Sequence, residues 1–162
     1  MKITVIGDSI SLGGWVEDLR KFYDIENLSV FGATTENFLG LTNVGDVVIL
    51  ALGTNDSCLV DGYLCVEENR FEKNYRKLIK VSDNVIVLGI LNVVEGSVHE
   101  NQNKALYNEI VKRLAYEYGL IFVDVHGLLN EDDFVDGLHP NSSGNEKIFC
   151  KVKQVLDKLQ NI

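Results

Sequence analysis

Asp46-Val47-Val48-Ile49-Leu50-Ala51-Leu52 is a near-continuous apolar run in a chain of 162 residues. A strand with one wet face alternates apolar and polar residues. A run without alternation, this short and this rich in β-branched residues, predicts a strand covered on both faces. Asn84 to Leu91 (N-V-I-V-L-G-I-L) repeats the signal. Outward from these two, Ile3 to Ile6, Glu26 to Val30 and Leu120 to Val125 read as three further strands. Helical patterning falls between them, over Trp15 to Tyr23, Thr35 to Leu41, Glu67 to Val81, Gln102 to Tyr118 and Ser142 to Leu159. In the fourth of these, Leu106, Ile110, Leu114 and Tyr118 recur every four residues beside Ala105 and Ala115, and Gly119 supplies the stop. In the last, Ile148, Val152, Val155, Leu156 and Leu159 form the apolar side. Strands alternating with helices predict an α/β fold with a parallel sheet between two helical layers. For five strands the order 2-1-3-4-5 is the common solution.

Composition bounds the function. The apolar fraction of 46% and charged fraction of 24% are those of a globular chain. Residues 1–162 carry no linker, repeat or low-complexity tract, so one domain is expected. A net charge of −9 argues against nucleic acid and anionic membrane surfaces as partners. No apolar run reaches spanning length, and the Ile3 to Ile6 run is too short for a secretory signal. Cys58, Cys65 and Cys150 lack the spacing of a metal knuckle. They read as reduced thiols of a cytoplasmic protein, with a Cys58–Cys65 disulfide as the alternative.

In a parallel sheet of this kind ligands sit at the C-terminal ends of the strands. Four unusual segments fall there: Gly7-Asp8-Ser9, Phe31-Gly32-Ala33-Thr34, Gly53-Thr54-Asn55-Asp56 and, after the fifth strand, Asp136-Gly137-Leu138-His139-Pro140. A serine hydroxyl is a poor nucleophile until a base removes its proton during attack. His139 can be that base for Ser9. Asp136, three residues earlier, can hold one ring nitrogen while the other faces the serine. Attack on a carbonyl puts negative charge on its oxygen. The Ser9 and Gly32 backbone N–H groups and the Asn55 amide are candidate donors for that oxyanion hole. Each segment also has a plainer reading: Ser9 as a helix N-cap, Asp136 to Pro140 as a simple turn, Gly32 as a turn glycine, and Asn55 as an Asx-turn or cap. Asp8 and Asp56 could do acid–base or metal chemistry, but bracing of their loops through backbone N–H groups is expected. His99 and His126 lack partners at ligand spacing and read as incidental, with His99 in a loop that could border the site.

The segments resemble the four blocks of the SGNH (GDSL-type) hydrolase superfamily, in order, across residues 1 to about 145. Gly7-Asp8-Ser9-Ile10 is similar to block I, with Ile where Leu is commoner. Asn27 to Thr35, centred on Gly32, resembles block II; Gly53-Thr54-Asn55-Asp56 resembles block III; Asp136 to Pro140 resembles block V. The resemblance implies a flavodoxin-like, three-layer α/β/α sandwich. It implies Ser9, His139 and Asp136 as catalytic residues, Ser9, Gly32 and Asn55 as the oxyanion hole, and neither metal nor cofactor. The reaction implied is hydrolysis of a small-molecule acyl ester or thioester through an acyl-enzyme. Near-minimal length favours a small acyl group such as acetyl. Two stretches depart from the pattern. Asn92 to His99 replaces the proline-bearing loop common in relatives, and Ser57 to Cys65 is an individual insertion that could wall the pocket. The competing reading is a non-catalytic flavodoxin-like ligand-binding or interaction domain. Against it, the loop after the first strand only distantly approximates a phosphate cradle, and residues 124 to 130 hold no lysine for a phospho-receiver site.

Overall fold

The computed structural model describes residues 1–94 and 99–160. Five parallel strands form the sheet: β1 (Lys2–Gly7), β2 (Asp24–Asn27), β3 (Val47–Ala51), β6 (Val85–Leu88) and β7 (Ile121–Val123). Between β3 and β6 a small antiparallel hairpin adds β4 (Leu59–Val60) and β5 (Tyr63–Leu64). The sheet order is β2-β1-β3-β6-β7, which is 2-1-3-4-5 when the hairpin is left out. The four longest helices are α1 (Trp15–Arg20), α2 (Glu68–Leu78), α3 (Asn101–Glu117) and α4 (Ser142–Gln160).

The unbroken apolar runs follow from two separate cores. Val48 and Leu50 point to one face, where they meet Phe71, Tyr75 and Leu78 of α2 and Tyr107, Val111 and Leu114 of α3. Val47 and Ile49 point to the other, against Trp15, Val16 and Leu19 of α1 and Ile148, Val152 and Leu156 of α4. Successive residues of β3 therefore both need apolar side chains, and alternation disappears. No helix among the described residues is long and apolar enough to cross a membrane.

Three elements differ from the sequence expectation. The second strand runs over Asp24–Asn27 rather than Glu26 to Val30. It is an edge strand, half-buried and polar, so its hydrophobic signal is weak. Backbone bonding to β1 continues beyond it, from Leu28 N–H to Val5 O and from Val30 N–H to Gly7 O. The expected helix over Thr35 to Leu41 is a single 3₁₀ turn, Thr35–Phe38, which Asn37 closes by accepting the Thr34 N–H. In α3 the buried stripe is Lys104, Tyr107, Asn108, Val111, Leu114 and Ala115, while Leu106 and Tyr118 are exposed. The predicted stripe was rotated because two buried positions carry polar side chains. Asn108 Oδ1 accepts the Ile90 N–H at 2.8 Å, and Lys104 is taken up below.

Candidate active site

β1 ends at Gly7, and the chain enters one 3₁₀ turn over Ser9–Ser11. The cap of that turn is Asp8, whose Oδ1 accepts the Ile10 N–H at 3.0 Å. Ser9 is thereby relieved of the capping role open to it in the sequence, and its hydroxyl is free for other partners. That partner is His139: Ser9 Oγ lies 2.9 Å from His139 Nε2, across 130 residues of chain.

The loop bearing His139 is built as a pinched finger. At its base Asn141 N–H donates to Asp133 O (2.8 Å), Val135 N–H to His139 O (2.9 Å), and Phe134 bridges Pro140. The base is anchored to α4 by Lys147 and Ser143, both on the Asp133 carboxylate. The tip must turn within Asp136-Gly137-Leu138-His139, and Gly137 does so at φ +84°, a conformation that favours glycine. Val94 N–H donates to Gly137 O at 2.8 Å and steadies the tip from the loop after β6.

Asp136 Oδ1 accepts the backbone N–H groups of His139 (2.8 Å) and Leu138 (3.0 Å), and Oδ2 faces His139 Nδ1 at 2.7 Å. These bonds, the His139 backbone N–H first, hold the carboxyl far below the usual carboxylate range. An ionised carboxylate only accepts hydrogen bonds, so the proton of neutral His139 resides on Nδ1. The Nε2 lone pair then faces the Ser9 hydroxyl. This arrangement can take a proton from Ser9.

The candidate oxyanion donors arrive from the adjoining strand ends. Gly32 adopts φ +68°, and a Cβ placed there would meet no atom within 4 Å, so the backbone stands open on that side. Neither the Ser9 nor the Gly32 backbone N–H bonds to another described residue. Asn55 Nδ2 donates one hydrogen to Ala33 O at 2.9 Å, which leaves the second hydrogen of that amide.

Asp8 and Asp56 brace their loops, as the sequence suggested. Asp56 is fully buried and accepts from Thr35 three times, from N–H at 3.0 and 3.2 Å and from Oγ1 at 2.6 Å. Burial pushes both carboxyls up to about 6. The two histidines read as incidental to the chemistry each hold a hydrogen-bonding place in the fold. His126 Nδ1 lies 2.8 Å from Ile90 O, and His99 Nδ1 lies 3.0 Å from Lys104 Nζ. Lys104 is fully buried, and its ammonium also reaches Thr54 O at 3.2 Å and Ser57 Oγ at 3.5 Å. A buried lysine on the Asn55 turn had no signal in the sequence beyond its place on a helix face. Phe31 is the second residue missed. It is 74% exposed, and its ring stacks beside His139 with centroids 6.2 Å apart. Of the loop at Asn92 to His99, residues 95–98 lie outside the described residues. The insertion at Ser57 to Cys65 forms the β4–β5 hairpin. No group of three or more metal-ligating side chains occurs among the described residues.

Residues 5–147 match the model of the GDSL-like Lipase/Acylhydrolase family. A multidomain esterase of Ruminococcus flavefaciens is 31% identical over 112 residues; the match takes in 64% of this chain and 14% of that protein's length. Among solved structures, a Bacteroides fragilis protein assigned as an acylhydrolase is 23% identical with a TM-score of 0.84, covering 98% of this chain and 87% of that one. The acetylxylan esterase Axe2 of Geobacillus stearothermophilus is 18% identical with a TM-score of 0.76, covering 94% and 92%. At these identities the structural likeness speaks for the fold.

Proposed function

The chain belongs to the GDSL-like lipase/acylhydrolase (SGNH) family of carboxylic-ester hydrolases, and from that premise we propose that it removes a small acyl group, such as acetyl, through an acyl-enzyme at Ser9. The observation that carries the reading is the unbroken series from Ser9 Oγ to His139 to an ionised Asp136. Ser9 Oγ attacks the ester carbonyl carbon as His139 Nε2 takes its proton. The Asp136 carboxylate stabilises the imidazolium that forms. Charge on the former carbonyl oxygen is met by the Ser9 and Gly32 N–H groups and the remaining Asn55 amide hydrogen, at about 3–4 kcal/mol for a well-placed donor. Collapse expels the alcohol, or a thiol from a thioester, which leaves with the proton from His139. A water molecule, deprotonated by the same imidazole, then releases the acid and restores Ser9.

A small acyl group on a sugar or comparable metabolite is favoured by two considerations. The exposed Phe31 ring beside His139 offers an apolar face of the size of one sugar ring. Axe2, which shares the fold, is an acetylxylan esterase.

The test is a series of chromogenic esters and thioesters of increasing acyl length, followed by peptide mass spectrometry after phosphonate labelling. The expected result is the highest kcat/KM at acetyl and a label on Ser9. A label on another residue, or inertness towards every activated ester, overturns the assignment.

A further inference from the structure

The β4–β5 hairpin starts three residues beyond Asp56, and two cysteines flank it. Leu59 pairs with Leu64 and Val60 with Tyr63, so Cys58 and Cys65 stand opposite each other at the next rung. Cys65 N–H donates to Cys58 O at 2.9 Å, and the two sulfurs are in direct contact at 2.6 Å. Directly opposed residues of an antiparallel pair have Cα atoms roughly 4.5–5.5 Å apart, within the range a disulfide spans. Both thiols are free, Cys65 exposed and Cys58 buried. We propose that Cys58 and Cys65 form a reversible modification site, at which a low-molecular-weight disulfide oxidises the pair to an intramolecular disulfide at the base of the hairpin.

The exposed and buried positions assign the order of events. Cys65 gives up its proton to solvent and its thiolate attacks the reagent disulfide, forming a mixed disulfide and releasing the first thiolate. Cys58 then loses its proton and attacks the Cys65 sulfur, and the second reagent thiolate leaves. Two protein thiols and one disulfide thus become one protein disulfide and two small thiols. Burial first, and then the hydrogen bond with Cys65, push the Cys58 thiol up, while the nearby Lys104 ammonium opposes the rise. Buried behind the exposed Cys65, Cys58 is out of the reagent's reach in the first attack and serves as the resolving thiol once its partner is activated. The bond would fix the ring that follows the Asn55 turn, because Cys58 N–H donates to Asn55 O at 3.2 Å.

The test uses the full chain carrying Cys150→Ser, which removes the exposed thiol outside the hairpin. Folded protein is incubated with oxidised glutathione and its intact mass and peptides are measured. The expected product has lost two hydrogens, yields a Cys58–Cys65 linked peptide, and returns to the starting mass with dithiothreitol. Adding Cys58→Ser should leave glutathione trapped on Cys65. A lasting glutathione adduct on Cys65 in the protein that retains Cys58, or no change in mass, overturns the proposal. So does closure only after denaturation, since the folded hairpin is what brings the thiols together.

Discussion

Asn55 Nδ2 donates to the Ala33 carbonyl at 2.9 Å, so the turn after β3 is tied to the turn that carries Gly32. The neighbouring residue repeats the tie from below, with the Asp56 carboxylate on Thr35. Two of the three candidate oxyanion loops are thus held as one unit. Asn55→Ala would remove a donor and loosen the second loop together. The expected loss in kcat is about 10²–10³-fold, with a smaller change in KM. Asn55→Asp keeps the volume but replaces the amide donor with an acceptor, and it should do no better. Steady-state kinetics on a chromogenic acetyl ester check both; an unchanged kcat for Asn55→Ala would remove the residue from the reaction.

Ser9 is half-buried at the rim, outside both apolar cores. Ser9→Ala should therefore abolish turnover by at least about 10³-fold while leaving the thermal midpoint within a few degrees. His139→Ala should fall to a similar floor, and the double variant no further, because the two act as one unit. Additive losses in the double variant would argue that they act independently. The comparison needs only initial rates and a melting curve for each protein.

Asp136 has a role that geometry separates from folding. An asparagine at that position still offers Oδ1 to the Leu138 and His139 N–H groups, so the tip of the loop should persist. Its amide, however, would present a hydrogen to His139 Nδ1 where the carboxylate presents an acceptor. The ring would then carry its proton on Nε2, facing Ser9, and could no longer accept one. Asp136→Asn is expected to lower kcat by about 10²–10⁴-fold with little change in melting temperature. Retention of most of the activity would show that the carboxylate neither orients nor charges the ring.

The parts of this molecule that were legible in the sequence are those where one physical demand dominates. Val47 to Leu50 must be apolar at every position because both faces are covered, and that reads directly as a central strand. Ser9, Gly32 and Asn55 stood out because each follows a strand with residue types that a plain loop does not need, and the Asp136–His139 finger because it sets a carboxylate three residues before an imidazole ahead of the last helix. The structure brings Ser9, His139 and Asp136 into contact. What stayed hidden is where two demands compete. β2 is an edge strand with few apolar residues, and its bounds slipped. The inner stripe of α3 passes through Lys104 and Asn108, which pattern reading assigns to solvent, although both are buried to hold backbone of neighbouring turns. The sequence offered a Cys58–Cys65 pairing only as an alternative, because the two-residue hairpin register that sets them opposite each other is not specified by spacing.

Asp8 offers a prediction on stability instead of rate. It is buried, and burial is the main cause that lifts its carboxyl from 3.8 to about 6, against the Ile10 N–H and the Lys104 ammonium, which pull it down. An acid whose folded value lies above its unfolded value takes up protons on folding. Its contribution to stability therefore falls as pH rises from about 4 to about 6, and is level above that. At pH 8 the fold carries the full cost of an ionised buried carboxylate, about 3 kcal/mol at most for a displacement from 3.8 to about 6. Asp8→Asn keeps an acceptor for the Ile10 N–H and removes the charge. It should raise the melting temperature at pH 8 by roughly 5–10 °C and leave it nearly unchanged at pH 4. Melting curves at the two pH values decide the matter. An equal gain at both would assign the effect to packing. A loss at pH 8 would mean that the charge serves its neighbours in the turn more than burial costs it, and that Asp8 belongs with the machinery around Ser9.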